Sequence, residues 1–375
     1  MGSSPSRLRL QSLDVVRGLM LVVSVSVDSL VLVDVPTWFN HAKWAGVGVV
    51  DLVFPTFVTL TGCGLGFAMH RRTDVRSLGR RILVLVAVGL LYNALVLNSW
   101  VPDTWRFTGV LQLYAVVVLV LALLHLVTRD WRGWALLTVL LAAASTVVLT
   151  LSARDCPGRT LTPECNPSGV VDLAWLGPGH MYAGGVLGHD PEGLVAILGA
   201  LVSASAGVTL GHLLLARPGR SALPGLALAL GAAGLAWACS VVPQALAGVD
   251  LPTMKRLWTP PFGLSVAAGV LVVLLMAHLL LDRPRNPAVV RGAVWPLIAL
   301  GRNSLLVYFG SHVAMALLTR SVDAQGVDLP TRIADGITRA SSLTGHEQLA
   351  FSVAAVLAWT LVAAVLHRFR IYLRP

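Results

Sequence analysis

Ten mostly apolar stretches of about twenty residues follow one another along the chain, at 13–34, 51–70, 80–99, 108–127, 133–152, 192–215, 223–246, 259–281, 294–319 and 347–366. The hydrocarbon core of a bilayer is about 30 Å thick, and an α-helix rising 1.5 Å per residue crosses it in roughly 20 residues. Inside hydrocarbon every backbone N–H and C=O must find a partner within the protein, so runs of this length specify helices. Only 12% of the 375 residues are charged, against 56% hydrophobic; a soluble domain carries about twice that charge. The sequence predicts an all-α, polytopic transmembrane helical bundle of about ten spans, a multi-pass protein of the cell membrane. Residues 1–375 are expected to form one membrane-embedded domain. No secretory signal is expected, because the first apolar stretch is too long and lacks a clear cleavage site.

The net charge of +10 raises the question of nucleic acid, but the basic residues sit in short segments between apolar runs, as topology determinants and headgroup contacts do. No nucleic-acid partner is expected, and the lipid bilayer is. If the N-terminus is cytoplasmic, the inner segments hold seventeen Lys and Arg, among them Arg71, Arg72, Arg76, Arg80 and Arg81. The outer segments hold nine, among them Lys43, Arg106, Lys255 and Arg256. The positive-inside rule then predicts both termini in the cytoplasm. Cys63 and Cys239 fall within apolar runs and are expected to pack. Cys156 and Cys165 share a long outer loop, where an oxidising exterior permits a disulfide.

Ionisable groups inside spans cost several kcal/mol unless paired or wet, so each is a candidate for function. Asp14 and Arg17 are three residues apart on one helix face, and a structural ion pair is the plain reading. Asp28 lies near the outer end of the same span. His41 occurs in the run Phe39-Asn40-His41-Ala42-Lys43-Trp44. Asp51 opens the next span, where a carboxylate would also serve as a simple cap at the positive end of the helix dipole. Further outer-side groups are Arg106, Gln112, His180, Asp190, Glu192, Lys255, Trp258 and His312, with Asn303 and Ser304 deeper in the ninth run. A histidine with a carboxylate to orient it is what general acid–base chemistry needs. A proton-coupled transporter uses similar residues, usually nearer the midplane. There is no zinc-ligand pattern, P-loop, dinucleotide fingerprint or nucleophile elbow, and no metal is expected.

The order of several short runs resembles the heparan-α-glucosaminide N-acetyltransferase family of membrane acyltransferases and its bacterial relatives. The runs are Ser12-Leu13-Asp14-Val15-Val16-Arg17-Gly18-Leu19, His41-Ala42-Lys43-Trp44-Ala45-Gly46, and Asp51-Leu52-Val53-Phe54-Pro55. They continue with residues 106–112 (RFTGVLQ), His180-Met181-Tyr182, Asp190-Pro191-Glu192-Gly193, Lys255-Arg256-Leu257-Trp258-Thr259, and Gly301-Arg302-Asn303-Ser304-Leu305-Leu306-Val307-Tyr308. Each is weak alone; the ordered series from residue 12 to about 313 is specific. The chain departs from the family pattern at Asp28 and Ala45, where the family more often has Asn. By the same resemblance, to the bacterial relatives in particular, no large extra-membrane N-terminal domain is expected.

The resemblance implies an enzyme that passes an acetyl group from cytosolic acetyl-CoA to an amino-sugar or other glycan acceptor on the far side. His41 would be the active-site histidine, acting on the thioester carbonyl or deprotonating the acceptor, with Asp28 or Asp51 orienting it. Arg106, Gln112, His180, Asp190, Glu192, Trp258 and His312 would bind the acceptor. Arg71, Arg72, Arg76, Arg302, Asn303 and Ser304 would bind the donor. A homodimer is left open. The alternative is a transporter or flippase for a polar or lipid-linked substrate, which would need the same helices and buried charges but no acyl donor; the absence of an inverted repeat argues against it.

Overall fold

The computed structural model describes residues 10–32, 40–71, 73–282, 288–341 and 345–373, with the side chains of 288, 289, 291 and 341 left aside. Among the described residues the chain is all-α. Seven helices are long and apolar enough to cross a membrane, counting α2 from the short turn that precedes it. The helices are α1 (Gln11–Asp28), α2 (Val53–Met69), α3 (Val75–Leu97), α4 (Val110–Leu124), α5 (Trp131–Arg154), α6 (Pro167–Leu176) and α7 (Leu194–Ala216). They continue as α8 (Ala222–Ala247), α9 (Pro260–Leu281), α10 (Ala288–Ala293), α11 (Trp295–Arg302), α12 (Ser304–Arg320), α13 (Leu329–Ser341) and α14 (Glu347–Arg368). Among the described residues each apolar run falls largely on helix, although the first, expected over 13–34, is helical only to Asp28. The ninth, expected as one span over 294–319, is instead two helices broken at Asn303, whose backbone (φ −109°, ψ 28°) leaves the helical region. Residues 156 and 165 form a disulfide.

In lipid, apolar contact alone gives helices little reason to associate, and close packing of small residues supplies it. α7 is rich in Gly, Ala and Ser and is buried along most of its length. It lies directly against α2: a Cβ on Gly62 would sit 1.9 Å from the Ala204 carbonyl oxygen, and one on Gly207 would sit 2.0 Å from that of Thr59. α1 meets α11 in the same way, with Gly18 on the Leu297 carbonyl and Gly301 on that of Asp14. By contrast α14 exposes Leu349, Val353, Leu357 and Leu361, spaced four apart on one face. Such an apolar stripe is stable against hydrocarbon and costly against water. α1 and α2, each held by such a close contact, both line the cavity described next.

Candidate active site

The turn Val49–Leu52 leads into α2 and carries Asp51, whose side chain is fully buried. Its Oδ2 accepts the backbone N–H groups of Gly48 (2.8 Å) and Ala42 (3.0 Å). A Cβ at Gly48 would lie 2.2 Å from the Asn40 carbonyl oxygen, so glycine is what lets the loop fold back over Asp51. With Oδ2 so engaged, Oδ1 faces His41 Nδ1 at 2.6 Å and Lys255 Nζ at 3.3 Å. An ionised carboxylate only accepts, so the imidazole proton sits on Nδ1 and the lone pair on Nε2. Lys255 Nζ lies 3.1 Å from His41 Nδ1; both are donors there, sharing one carboxylate side by side.

Lys255 comes from the loop before α9, which several bonds fix. Gly46 N–H donates to the Thr253 carbonyl at 2.8 Å, tying the His41 loop to the Lys255 loop. Thr259 Oγ1 accepts the Met254 N–H at 3.0 Å. Trp258, buried and in the left-handed region (φ 48°), donates Nε1 to Ser203 Oγ on α7 at 3.0 Å. Burial pushes the Lys255 ammonium below its ordinary pKa, against the opposing pull of Glu192 and Asp51.

A second aspartate–histidine pair stands nearby. Asp28, the last residue of α1, holds His312 Nδ1 of α12 at 2.7 Å and accepts Ser311 Oγ at 3.1 Å. A third cluster centres on Arg106, whose Nη2 reaches Asp190 (2.9 Å) and Glu192 (2.6 Å). Burial would lower the guanidinium pKa, but these two carboxylates raise it. Asp190 is itself anchored by Thr108 Oγ1 (2.5 Å) and the Tyr182 N–H (2.8 Å), and Arg106 lies 4.8 Å over the Tyr182 ring.

One cavity of about 1470 Å³ joins these groups to the opposite end of the bundle. His41, Asp28, His312, Arg106, Glu192 and Lys255 line one end; His70, Arg71, Asp74 and Arg81 line the other. α2 lines it from Val53 to Met69, 17 residues, which at 1.5 Å per residue is about 25 Å. Between the ends lie Phe57, Thr61, Gly64, Arg17 and Tyr114. Arg302, at the break between α11 and α12, also lines it and holds Asp14 (3.2 Å) and the Tyr372 hydroxyl (3.2 Å). Behind His70 runs a file of histidines: His70 Nδ1 is 3.3 Å from His212 Nδ1, and His212 Nε2 is 3.2 Å from His125 Nε2.

The family model described as heparan-alpha-glucosaminide N-acetyltransferase, catalytic, matches residues 9–177. A human heparan-alpha-glucosaminide N-acetyltransferase is 26% identical over 97% of this chain and 59% of its own length. The mouse protein of the same name is 26% identical over 99% of this chain and 61% of its own length. Over these stretches the chain is similar to the heparan-α-glucosaminide N-acetyltransferase family. It spans about three fifths of the length of both curated relatives. The stretch matched by the family model contains Asp28, His41, Asp51, Arg71, Arg81 and Arg106; Glu192, Lys255 and His312 lie beyond it, within the alignment to the full-length N-acetyltransferases.

Of the residues singled out in the sequence, His41, Asp28, Arg106, Glu192, His312, Arg71, Arg302 and Ser304 line the cavity, and Asp51 and Asp190 stand directly behind them. Others do not reach it. Gln112 is packed beside Gly89 and Gly109, its amide unpartnered. His180 stacks on Phe107 with ring centroids 4.0 Å apart. Trp258 is a core anchor for the Lys255 loop. Asn303 is buried at the helix break and donates to the Ala299 carbonyl. Arg76 is exposed on α3 away from the cavity, and Arg72 lies outside the described residues. Arg17, Arg81, Tyr92 and Tyr308 line the cavity without having been singled out as site residues. Lys255 had a signal: it is one of only two lysines in a chain whose other basic residues are all arginine. A lysine where arginine is the habit suggests a compact charge placed for a reason.

Proposed function

We propose that the chain is a transmembrane acyltransferase that moves an acetyl group from acetyl-CoA to an amino sugar or other glycan acceptor. The observation that carries this reading is the single cavity joining a cationic mouth to an aspartate–histidine pair. Arg71, Arg81 and Arg302 suit the phosphates of the donor, since guanidinium binds phosphate in charge-assisted pairs. Arg81 Nε is buried and unpartnered, as a group awaiting an anion would be. The passage along α2 suits a long, narrow thioester arm. At its far end the acceptor nitrogen attacks the thioester carbonyl while His41 Nε2 takes its proton. The C–N bond forms, the C–S bond breaks, and the imidazolium returns the proton to the departing thiolate. Asp51 fixes the ring and stabilises its cation; Lys255 offsets the carboxylate charge.

The same reading places the cationic mouth and both termini in the cytoplasm, and the ten apolar runs as ten crossings of one membrane domain in the cell membrane. The seventeen-to-nine asymmetry of Lys and Arg supports this. So does the Cys156–Cys165 disulfide, which belongs in an oxidising exterior and sits at the His41 end, where Trp44 Nε1 donates to the Leu161 carbonyl at 2.7 Å. The test is incubation of purified protein with radiolabelled acetyl-CoA and a panel of amino sugars and cell-wall glycans. Label should pass to an amine-bearing glycan; failure to pass label to any acceptor would refute the reading.

A further inference from the structure

Amide formation from an amino sugar has a proton balance that one histidine does not complete. At neutral pH a sugar amine is largely an ammonium ion. The overall reaction is R–NH3+ plus acetyl thioester giving R–NH–acetyl, a free thiol and one H+. Two protons therefore leave the nitrogen: one ends on sulfur and the other in solvent. The first must go before attack, because an ammonium nitrogen has no lone pair. His41, cycling its proton from nitrogen to sulfur, accounts for one.

We propose that the Asp28–His312 pair is the acceptor's first base: it binds the ammonium form, removes its first proton and releases that proton to water, leaving the neutral amine to His41. This rests on the acyltransferase reading above. Three observations carry it. The pair repeats the chemistry of Asp51–His41: Nδ1 of His312 is turned toward Asp28 Oδ2 (2.7 Å) and the Tyr308 carbonyl (2.9 Å), which leaves Nε2 as the basic nitrogen. Both side chains line the same cavity as His41 and are partly exposed, 23% for His312 and 14% for Asp28, so the proton has a route out. The local charge also separates the two pairs. His41 shares its carboxylate with the Lys255 ammonium, which repels a cationic substrate. Among the described residues the charged group bonded to His312 is Asp28, which attracts one.

The other groups facing His312 fit this role. Tyr308, on its own helix, has its ring centroid 4.4 Å away; Tyr92, from α3, lies 6.0 Å away. Tyr92 is within electrostatic reach of Asp28, Glu192 and Arg106, so the cluster of Arg106 with Asp190 and Glu192, one cation against two carboxylates, borders the same chamber and does not repel a cationic substrate. From α1 come Asp28 and, on α12, Ser311, which holds the carboxylate.

The test compares full-length wild type with His312→Asn, Asp28→Asn and His41→Ala, measuring acetyl transfer against pH with two acceptors. One is glucosamine; the other is an arylamine, which is already neutral at pH 7. With glucosamine at pH 7, His312→Asn should lower kcat/KM by at least ~10-fold, less than the ~10²-fold of a full general-base loss because part of the amine is already neutral in solution. The deficit should close as pH rises toward 9, and should be nearly absent with the arylamine at every pH. Asp28→Asn should give the same pattern, more weakly. His41→Ala should fail on both acceptors at every pH. Recovery at high pH and on the arylamine shows that the variants are folded. Equal loss of His312→Asn on both acceptors, a loss that does not close with pH, or no loss at all would overturn the proposal. A wild type inactive with both amines would instead defeat the acyltransferase reading, and this proposal with it.

Discussion

Asp51→Asn isolates the chemistry of the His41 site with the least change of shape. Asn can keep the two backbone bonds from Gly48 and Ala42 by placing its carbonyl oxygen where Oδ2 stands. Its amide group then faces His41 Nδ1 and Lys255 Nζ, presenting donors to two groups that are donors themselves. To relieve this the imidazole must move its proton to Nε2, which removes the lone pair the reaction needs. Removing one partner of a buried ion pair costs about 3–5 kcal/mol. The His41 side chain is 51% exposed, so water screens part of the interaction and the lower end applies. About 3 kcal/mol on the barrier is roughly a 10²-fold loss of kcat. The assay is acetyl transfer at saturating donor, with thermal stability in detergent measured alongside. A variant that is folded and within ~3-fold of wild type would refute the assignment of Asp51 as the carboxylate that orients and stabilises the catalytic imidazole.

Other consequences follow from the packing and the cavity. Arg81→Gln and Arg71→Gln should each raise the donor KM more than they lower kcat, because phosphate contacts contribute uniform binding; Arg76→Gln, exposed outside the cavity, should leave the donor KM unchanged, and a reversed order would place the phosphates elsewhere. Gly62→Ala puts a Cβ 1.9 Å from the Ala204 carbonyl oxygen, so the α2–α7 contact must open. A fall in detergent melting temperature corresponding to at least ~1–3 kcal/mol is expected, and an unchanged melting temperature would show that the contact is looser than described.

The helices were legible in the sequence because hydrocarbon leaves a backbone few choices, and a run such as 133–152 has to pair its amides internally. The break at Asn303 was not, since the 294–319 run stays apolar across it and the tertiary contact beside the break, Arg302 to Asp14, joins residues far apart in the chain. Within the site, His41 and Asp51 stood out as an acid close in sequence to a histidine. Which acid served which histidine was not readable: Asp28 and Asp51 flank His41 in the chain, and only the fold, bringing α12 against α1, gives Asp28 to His312. Trp258 and His180 were singled out as polar aromatics near the outer face, yet both are spent on packing. A sequence shows that a side chain can bind but not whether a neighbour has already occupied it. Within the basic loop 71–81 nothing in the sequence sets Arg81 apart from its neighbours, because its place on the cavity comes from the way α3 folds against it.

The central claim is that donor and acceptor meet through one cavity from opposite faces of the membrane. It is tested by reconstituting the protein in sealed vesicles, with cysteine labelling at residues 75–80 to sort the two orientations. Radiolabelled acetyl-CoA is supplied only on the side of the Arg71–Arg81 mouth, and glucosamine only on the side of His41. The account predicts acetylated glucosamine on the His41 side, with free CoA left on the donor side. Product that forms only when donor and acceptor share one compartment would contradict it.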